Sequence, residues 1–230
     1  MMPNPRLRAV IFDLDHTLVE SMIDYGRMNC SVIHELVKAG VDPSILKESR
    51  SVVENLQEGK RYLALHDPAF DPAQVDRRIN ALLTASEMER VASARMIPGT
   101  IEAIELLEEM GLRMAVLTRG SRIYAMKLLD LTGLDGRLGQ CVCRDDHPLE
   151  EAKPNPLAMR RTASLIGVHV EDCVYAGDHP MDLECATAAG ARFVGVLTGN
   201  TTRERWKEHG CELVIPSVAA LPRLLRESRL

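Results

Sequence analysis

Six short apolar runs limit the folds open to this chain: residues 8–13, 112–118, 140–143, 173–178, 193–197 and 213–215. Each is of strand length and rich in Val, Ile or Leu. None alternates cleanly with polar residues, which is the pattern of strands buried on both faces of a parallel sheet. Helix-period stretches separate most of them. Residues 100–110 place Ile101, Ala103, Ile104, Leu106 and Leu107 on one broad face, follow Pro98-Gly99 and stop at Gly111; residues 156–166 and 180–189 behave similarly. Strand and helix in alternation predict an α/β fold built on a doubly wound, mostly parallel sheet. Aromatic residues make up only 3% of the chain, so Leu, Val, Ile, Ala and Met are expected to fill the core.

One interval breaks the alternation. From about residue 22 to 94 only helical periodicity is present, interrupted at 40–43 and 67–72. This predicts a helical insertion, residues 21–96, within a core made of residues 1–20 and 97–230, with Glu20-Ser21 and Ile97-Pro98-Gly99 as hinge linkers. Lys plus Arg number 28 against 33 Asp plus Glu, a formal charge of −5, which would repel a phosphate backbone and argues against nucleic acid as a partner. The six cysteines form no CxxC and read as free, small buried hydrophobes in a reducing compartment. No stretch has the length of a signal-peptide core or a membrane span. A cytoplasmic protein without membrane contact, a monomer or homodimer, is the expectation.

In open α/β sheets ligands bind beyond the carboxyl ends of the strands, and here those ends are polar. The first run leads into Asp13-Leu14-Asp15-His16-Thr17, the second into Thr118-Arg119-Gly120-Ser121, and the fourth into Gly177-Asp178-His179-Pro180-Met181-Asp182. The loop after the third holds Ala152-Lys153-Pro154-Asn155-Pro156. Carboxylates gathered at one edge repel, and each desolvated one shifts upward in pKa unless a cation sits among them. A hard divalent ion with oxygen ligands, Mg²⁺ by default, suits them. Lys153, the Thr118 hydroxyl and the backbone N–H groups of Arg119-Gly120 suit a bound phosphate. The plainer readings are a strand-end turn or helix cap for Asp13 and Asp15, a solvated loop for Lys153, and helix N-terminal acids for Asp178 and Asp182. The four clusters together favour chemistry.

DLDHT, LTRG, the lysine of AKPNP and GDHPMD resemble, in order and region, the four motifs of the haloacid dehalogenase-like hydrolase superfamily. The insertion after the first motif is similar to the C1-type cap of the phosphoglycolate phosphatase and β-phosphoglucomutase branch. The resemblance implies a Rossmann-like core with an inserted α-helical cap. It implies Asp13 as nucleophile, forming an aspartyl-phosphate, and Asp15 as general acid and then base. Mg²⁺ would be held by the Asp13 carboxylate, the Asp15 carbonyl and Asp178, with Asp182 a ligand through water or an orienting partner. Thr118, Arg119, Gly120 and Lys153 would bind phosphate.

Retention of Asp15 argues against a dehalogenase or a phosphonatase. Thr17, a supporting residue like Asp182, favours a phosphatase over a mutase, which often carries an aliphatic residue there. The implied activity is hydrolysis of a small phosphorylated metabolite, phosphoglycolate-like or a sugar phosphate. A β-phosphoglucomutase-like transferase is the alternative, and a non-catalytic binding or regulatory module the remote one. His16 stands where the branch often has glycine; the turn is expected to survive, with His16 a loop residue facing the cap cleft. Cys30 with His34, and Cys141 with Cys143, read as packing, and Lys47, Arg50, Lys60 and Arg61 as mostly solvated surface of the insertion.

Overall fold

The computed structural model describes residues 7–227. Along the chain run β1 (Ala9–Phe12), β2 (Val19–Glu20), α1 (Tyr25–Lys38), α2 (Val52–His66), α3 (Pro72–Met88), β3 (Arg95–Met96), α4 (Thr100–Glu109), β4 (Arg113–Leu117) and α5 (Arg122–Thr132). There follow β5 (Gln140–Val142), α6 (Pro156–Leu165), β6 (Cys173–Gly177), α7 (Pro180–Ala189), β7 (Arg192–Val196), α8 (Arg203–Glu208), β8 (Val214–Ile215) and α9 (Leu221–Glu227). They divide into two compact units, a helical one at Met22–Val91 and a core holding the rest.

The core is a six-stranded sheet in the order β5-β4-β1-β6-β7-β8, parallel throughout. The chain leaves β1 toward β4 and β5, then returns to the other side of β1 for β6, so the winding direction switches beside β1. Side chains alternate across a strand. Ile11, Leu117, Tyr175 and Phe193 therefore share one face, where they join Met159 of α6, Cys185 and Ala186 of α7 and Trp206 of α8 in one cluster. Val10, Phe12, Val116 and Val174 face the other way and are equally buried. Burial on both faces explains the unbroken apolar runs; each such side chain contributes about 1.5–3 kcal/mol when fully removed from water.

Residues 92–96, grouped with the insertion on sequence alone, belong with the core. Arg95–Met96 pair antiparallel with Val19–Glu20, and the Ile97 N–H donates to the Leu18 carbonyl at 3.0 Å. The expected hinge segments are thus tied together as a two-stranded ribbon.

In the helical unit, α1 begins on an Asp24 cap, α2 on a Ser51–Glu54 capping box and α3 on Asp71 followed by Pro72. Gly59 lets α2 approach Leu36 of α1; a Cβ there would lie 2.9 Å from a Leu36 methyl. Asn29 donates to the carbonyls of Glu48 and Arg50, and Asn55 to Asn29 and the Lys47 carbonyl, so two buried amides pin the 47–50 segment. Lys60 pairs with Asp76 at 2.7 Å and Arg50 donates to the Ile45 carbonyl.

Cys143, Cys173, Cys185 and Cys211 are buried free thiols, as expected, but Cys30 is exposed, and so is His34. That pair lies on the solvent face of α1 and does not pack, because the buried stripe of this helix runs through Met28, Val32 and Leu36. No helix among the described residues is long and apolar enough to cross a membrane.

Candidate active site

Register brings the polar clusters together. Phe12 stands opposite both Val116 and Ala176, so β1, β4 and β6 end within a residue or two of one another. Asp13, Thr118 and Asp178 leave the sheet at the same edge. The Asp13 N–H still donates to the Ala176 carbonyl at 2.9 Å, which anchors the first turn to β6.

Lys153 enters from the loop between β5 and α6, where Asn155 caps α6 through the Leu157 N–H. It is 3% exposed, and each of its three N–H donors has an acceptor. Nζ lies 2.5 Å from Asp13 Oδ1, 2.7 Å from Asp182 Oδ1 and 2.8 Å from the Tyr175 hydroxyl. Burial by itself would lower the lysine pKa, but the charges of Asp13 and Asp182 outweigh it and hold the ammonium protonated.

Asp182 occupies the first turn of α7. Its Oδ2 accepts from the His179 N–H at 3.1 Å while the His179 ring accepts from the Met181 N–H, a reciprocal cap. Its Oδ1 accepts from Lys153 and lies 3.0 Å from the Tyr175 hydroxyl. Gly177 is required here: a Cβ would sit 2.6 Å from Asp182 Oδ2. Gly199, in the loop after β7, plays the same part for Asp178, because a Cβ at that position would overlap its carboxylate. Burial, then Asp13 and Asp182, push Asp178 up to about 9, with Lys153 opposing. Burial raises Asp13 to about 7; Lys153 pulls it down, while Asp182 and Asp15 push it further up.

Around this centre the other expected residues are distributed as follows. Thr17, fully buried, donates to Asp13 Oδ2 at 3.4 Å. Asp15 Oδ1 accepts from the Tyr124 hydroxyl at 2.6 Å. Thr118 Oγ1 accepts from the Gly120 N–H at 2.9 Å, closing the turn after β4. The Arg119 side chain donates to the Lys153 carbonyl, so it braces the lysine loop. His16 takes a left-handed backbone, φ 55°, the conformation glycine adopts freely, and its carbonyl accepts from Thr198. The turn survives because histidine is among the few residues enriched there.

The family of haloacid dehalogenase-like hydrolases matches residues 7–190, a span that contains all four polar clusters. This chain belongs to that family. A phosphoglycolate phosphatase of Xylella fastidiosa (strain 9a5c) is 31% identical to this hydrolase over 197 residues, 86% of this chain and 83% of the relative. Among solved structures, a hydrolase from Pseudomonas syringae superposes with a TM-score of 0.69 at 23% identity, over 96% of this chain and 99% of the other. A putative β-phosphoglucomutase from Thermotoga maritima gives 0.60 at 18% identity, over 96% and 99%. These two structures speak for the fold of the hydrolase.

The donor set of this hydrolase fits a hard cation. Carboxylate oxygens of Asp13, Asp178 and Asp182 lie within 4.8 Å of one another, and the ammonium of Lys153 balances only part of their charge. Burial, and after it the charges of Asp13 and Asp182, raise Asp178 in spite of Lys153. Asp182, with Lys153 on one oxygen and the His179 N–H on the other, is the most committed of the three. Tyr175, Tyr124 and Gly199 were not expected from the sequence. Only Tyr175 left a trace there: two residues before Gly177 on a strand, it shares that residue's face.

Proposed function

We propose that this chain is a Mg²⁺-dependent phosphatase that hydrolyses a small phosphate monoester, phosphoglycolate-like or a sugar phosphate, through an aspartyl-phosphate. Its family and the phosphatases among its relatives make it a phosphomonoesterase. The observation that carries the mechanism is the grip of Lys153 on Asp13 Oδ1 at 2.5 Å. It fixes one oxygen of the carboxylate and leaves Oδ2, with its long contact from Thr17, to attack phosphorus.

As the Oδ2–P bond forms, the bond from phosphorus to the leaving oxygen breaks and Asp15 gives that oxygen its proton. A water then attacks phosphorus, Asp15 takes its proton, and the Asp13–phosphorus bond breaks to release inorganic phosphate. Thr118 Oγ1 accepts from the Gly120 N–H, and its own proton is the one it would offer to a phosphate oxygen. Lys153 offsets negative charge at the nucleophile, and Arg119 keeps the lysine loop in place. Mg²⁺, held by Asp13, the Asp15 carbonyl and Asp178, would supply the positive charge that the crowded carboxylates and a phosphate dianion require. Asp182 orients Lys153. Substrate choice is assigned to the inserted helical unit, in the role of a cap.

A panel of phosphate monoesters assayed with wild type and Asp13→Asn, with and without Mg²⁺, tests this reading. Equimolar alcohol and inorganic phosphate, lost in Asp13→Asn and without the metal, is the expected result. An isomerised sugar phosphate without net phosphate release would replace the phosphatase by the mutase.

A further inference from the structure

Tyr124 lies in the first turn of α5, directly after the Thr118–Ser121 turn, and is 1% exposed. Its ring rests on Gly120, where a Cβ would meet Cδ1 at 2.8 Å and Cε1 at 3.3 Å. Its hydroxyl crosses to the first motif and donates to Asp15 Oδ1 at 2.6 Å. One side chain thus spans the turn proposed to hold phosphate and the carboxylate proposed to move the proton. A phenylalanine would fill the same space, so the hydroxyl is what the position adds.

We infer that Tyr124 is a positioning residue for proton transfer: its hydroxyl holds the Asp15 carboxyl by Oδ1 against the Thr118–Gly120 turn. This rests on the reading of Asp15 as general acid. The phenol keeps its own proton throughout. The proton that reaches the leaving oxygen comes from Asp15, and the phosphorus–oxygen bond breaks as it is delivered. Gly120 belongs to the same device, because any Cβ there would displace the ring that carries the hydroxyl.

Leaving groups differ in their need for that proton. An alkoxide must be protonated as it departs, whereas p-nitrophenolate departs without it. kcat/KM reports the steps up to departure of the alcohol, so the ratio of kcat/KM for an alkyl phosphate to that for p-nitrophenyl phosphate isolates proton delivery. Measured on one preparation with saturating Mg²⁺, the ratio is independent of how much enzyme is folded.

For Asp15→Asn the ratio is expected to fall by about 10²–10⁴-fold, the range of general acid catalysis, and for Tyr124→Phe by roughly tenfold. An unchanged ratio in Tyr124→Phe beside a collapsed ratio in Asp15→Asn overturns the role of Tyr124 and leaves Asp15 as the acid. An unchanged ratio in Asp15→Asn removes the acid itself, and the inference with it.

Discussion

The Tyr175 hydroxyl lies 2.8 Å from Lys153 Nζ, and its oxygen is also 2.9 Å from the Leu117 carbonyl. A residue of the central sheet therefore holds the ammonium that holds Asp13, the proposed nucleophile. Tyr175→Phe leaves one buried N–H of Lys153 without an acceptor, a loss of about 1–3 kcal/mol. Denaturant unfolding is expected to show that loss with an unchanged m-value. A wild-type midpoint would mean that the lysine finds another acceptor.

Stability is expected to fall with rising pH when no divalent ion is added. Asp13 and Asp178 titrate near 7 and near 9 in the folded protein, against about 3.9 in an unfolded chain. The folded state therefore binds more protons between those limits, and its advantage shrinks as pH climbs from about 4 through 9. On the proposed reading Mg²⁺ binds the ionised carboxylates and opposes the loss. Thermal melts at pH 5.5 and 8.5 should show a larger Mg²⁺-induced rise in Tm at the higher pH, by roughly 5 °C. An equal rise at both would break the link between these carboxyls and the metal.

Gly199→Ala forces a methyl into the space of the Asp178 carboxylate. One of the two must move, and the Asp178 carboxylate is expected to be displaced. Mg²⁺ affinity is expected to drop by about 10–100-fold, the usual effect of disturbing a ligand's support, as read by the Mg²⁺ dependence of turnover. Unaltered Mg²⁺ dependence would exclude Asp178 as a ligand.

His16 can be tested by two substitutions of opposite character. Glycine relieves a left-handed conformation that costs an L-residue about 1–2 kcal/mol, but it loses about 0.5–1 kcal/mol through the freer unfolded chain. His16→Gly should thus differ little in stability, whereas β-branched His16→Val should lose about 1–2 kcal/mol at the same φ of 55°. Equal melting of the two variants would show that the turn relaxes. With glycine, an unmoved pH–rate profile is expected, because the imidazole has no part in the proposed steps.

Much of this was legible in the residues alone. Strands such as β6 (Cys173–Gly177) announce themselves because burial on both faces leaves no polar alternation to confuse them. Asp13, Lys153, Asp178 and Asp182 stand out because a charge beside an apolar run needs a reason. Tyr175 and Tyr124 did not stand out, since a tyrosine in a strand or helix is ordinary until its hydroxyl is known to reach a particular atom, and that depends on register between distant segments. Gly199 is one glycine among many until the carboxylate that fills its missing Cβ is located. The ribbon of Val19–Glu20 with Arg95–Met96 is too short for any periodicity to reveal, and Cys30 with His34 misled because a helix shows its spacing more plainly than its rotation.

That ribbon has an evolutionary consequence. Where the chain departs from the core and where it comes back are fastened side by side by Val19–Met96 and Leu18–Ile97 backbone pairing. The intervening segment is in effect a cassette on a closed clasp. On the proposed reading, in which that stretch selects the substrate, a change of substrate calls for changes in one continuous stretch of gene, bounded by a clasp that belongs to the same unit as Asp13.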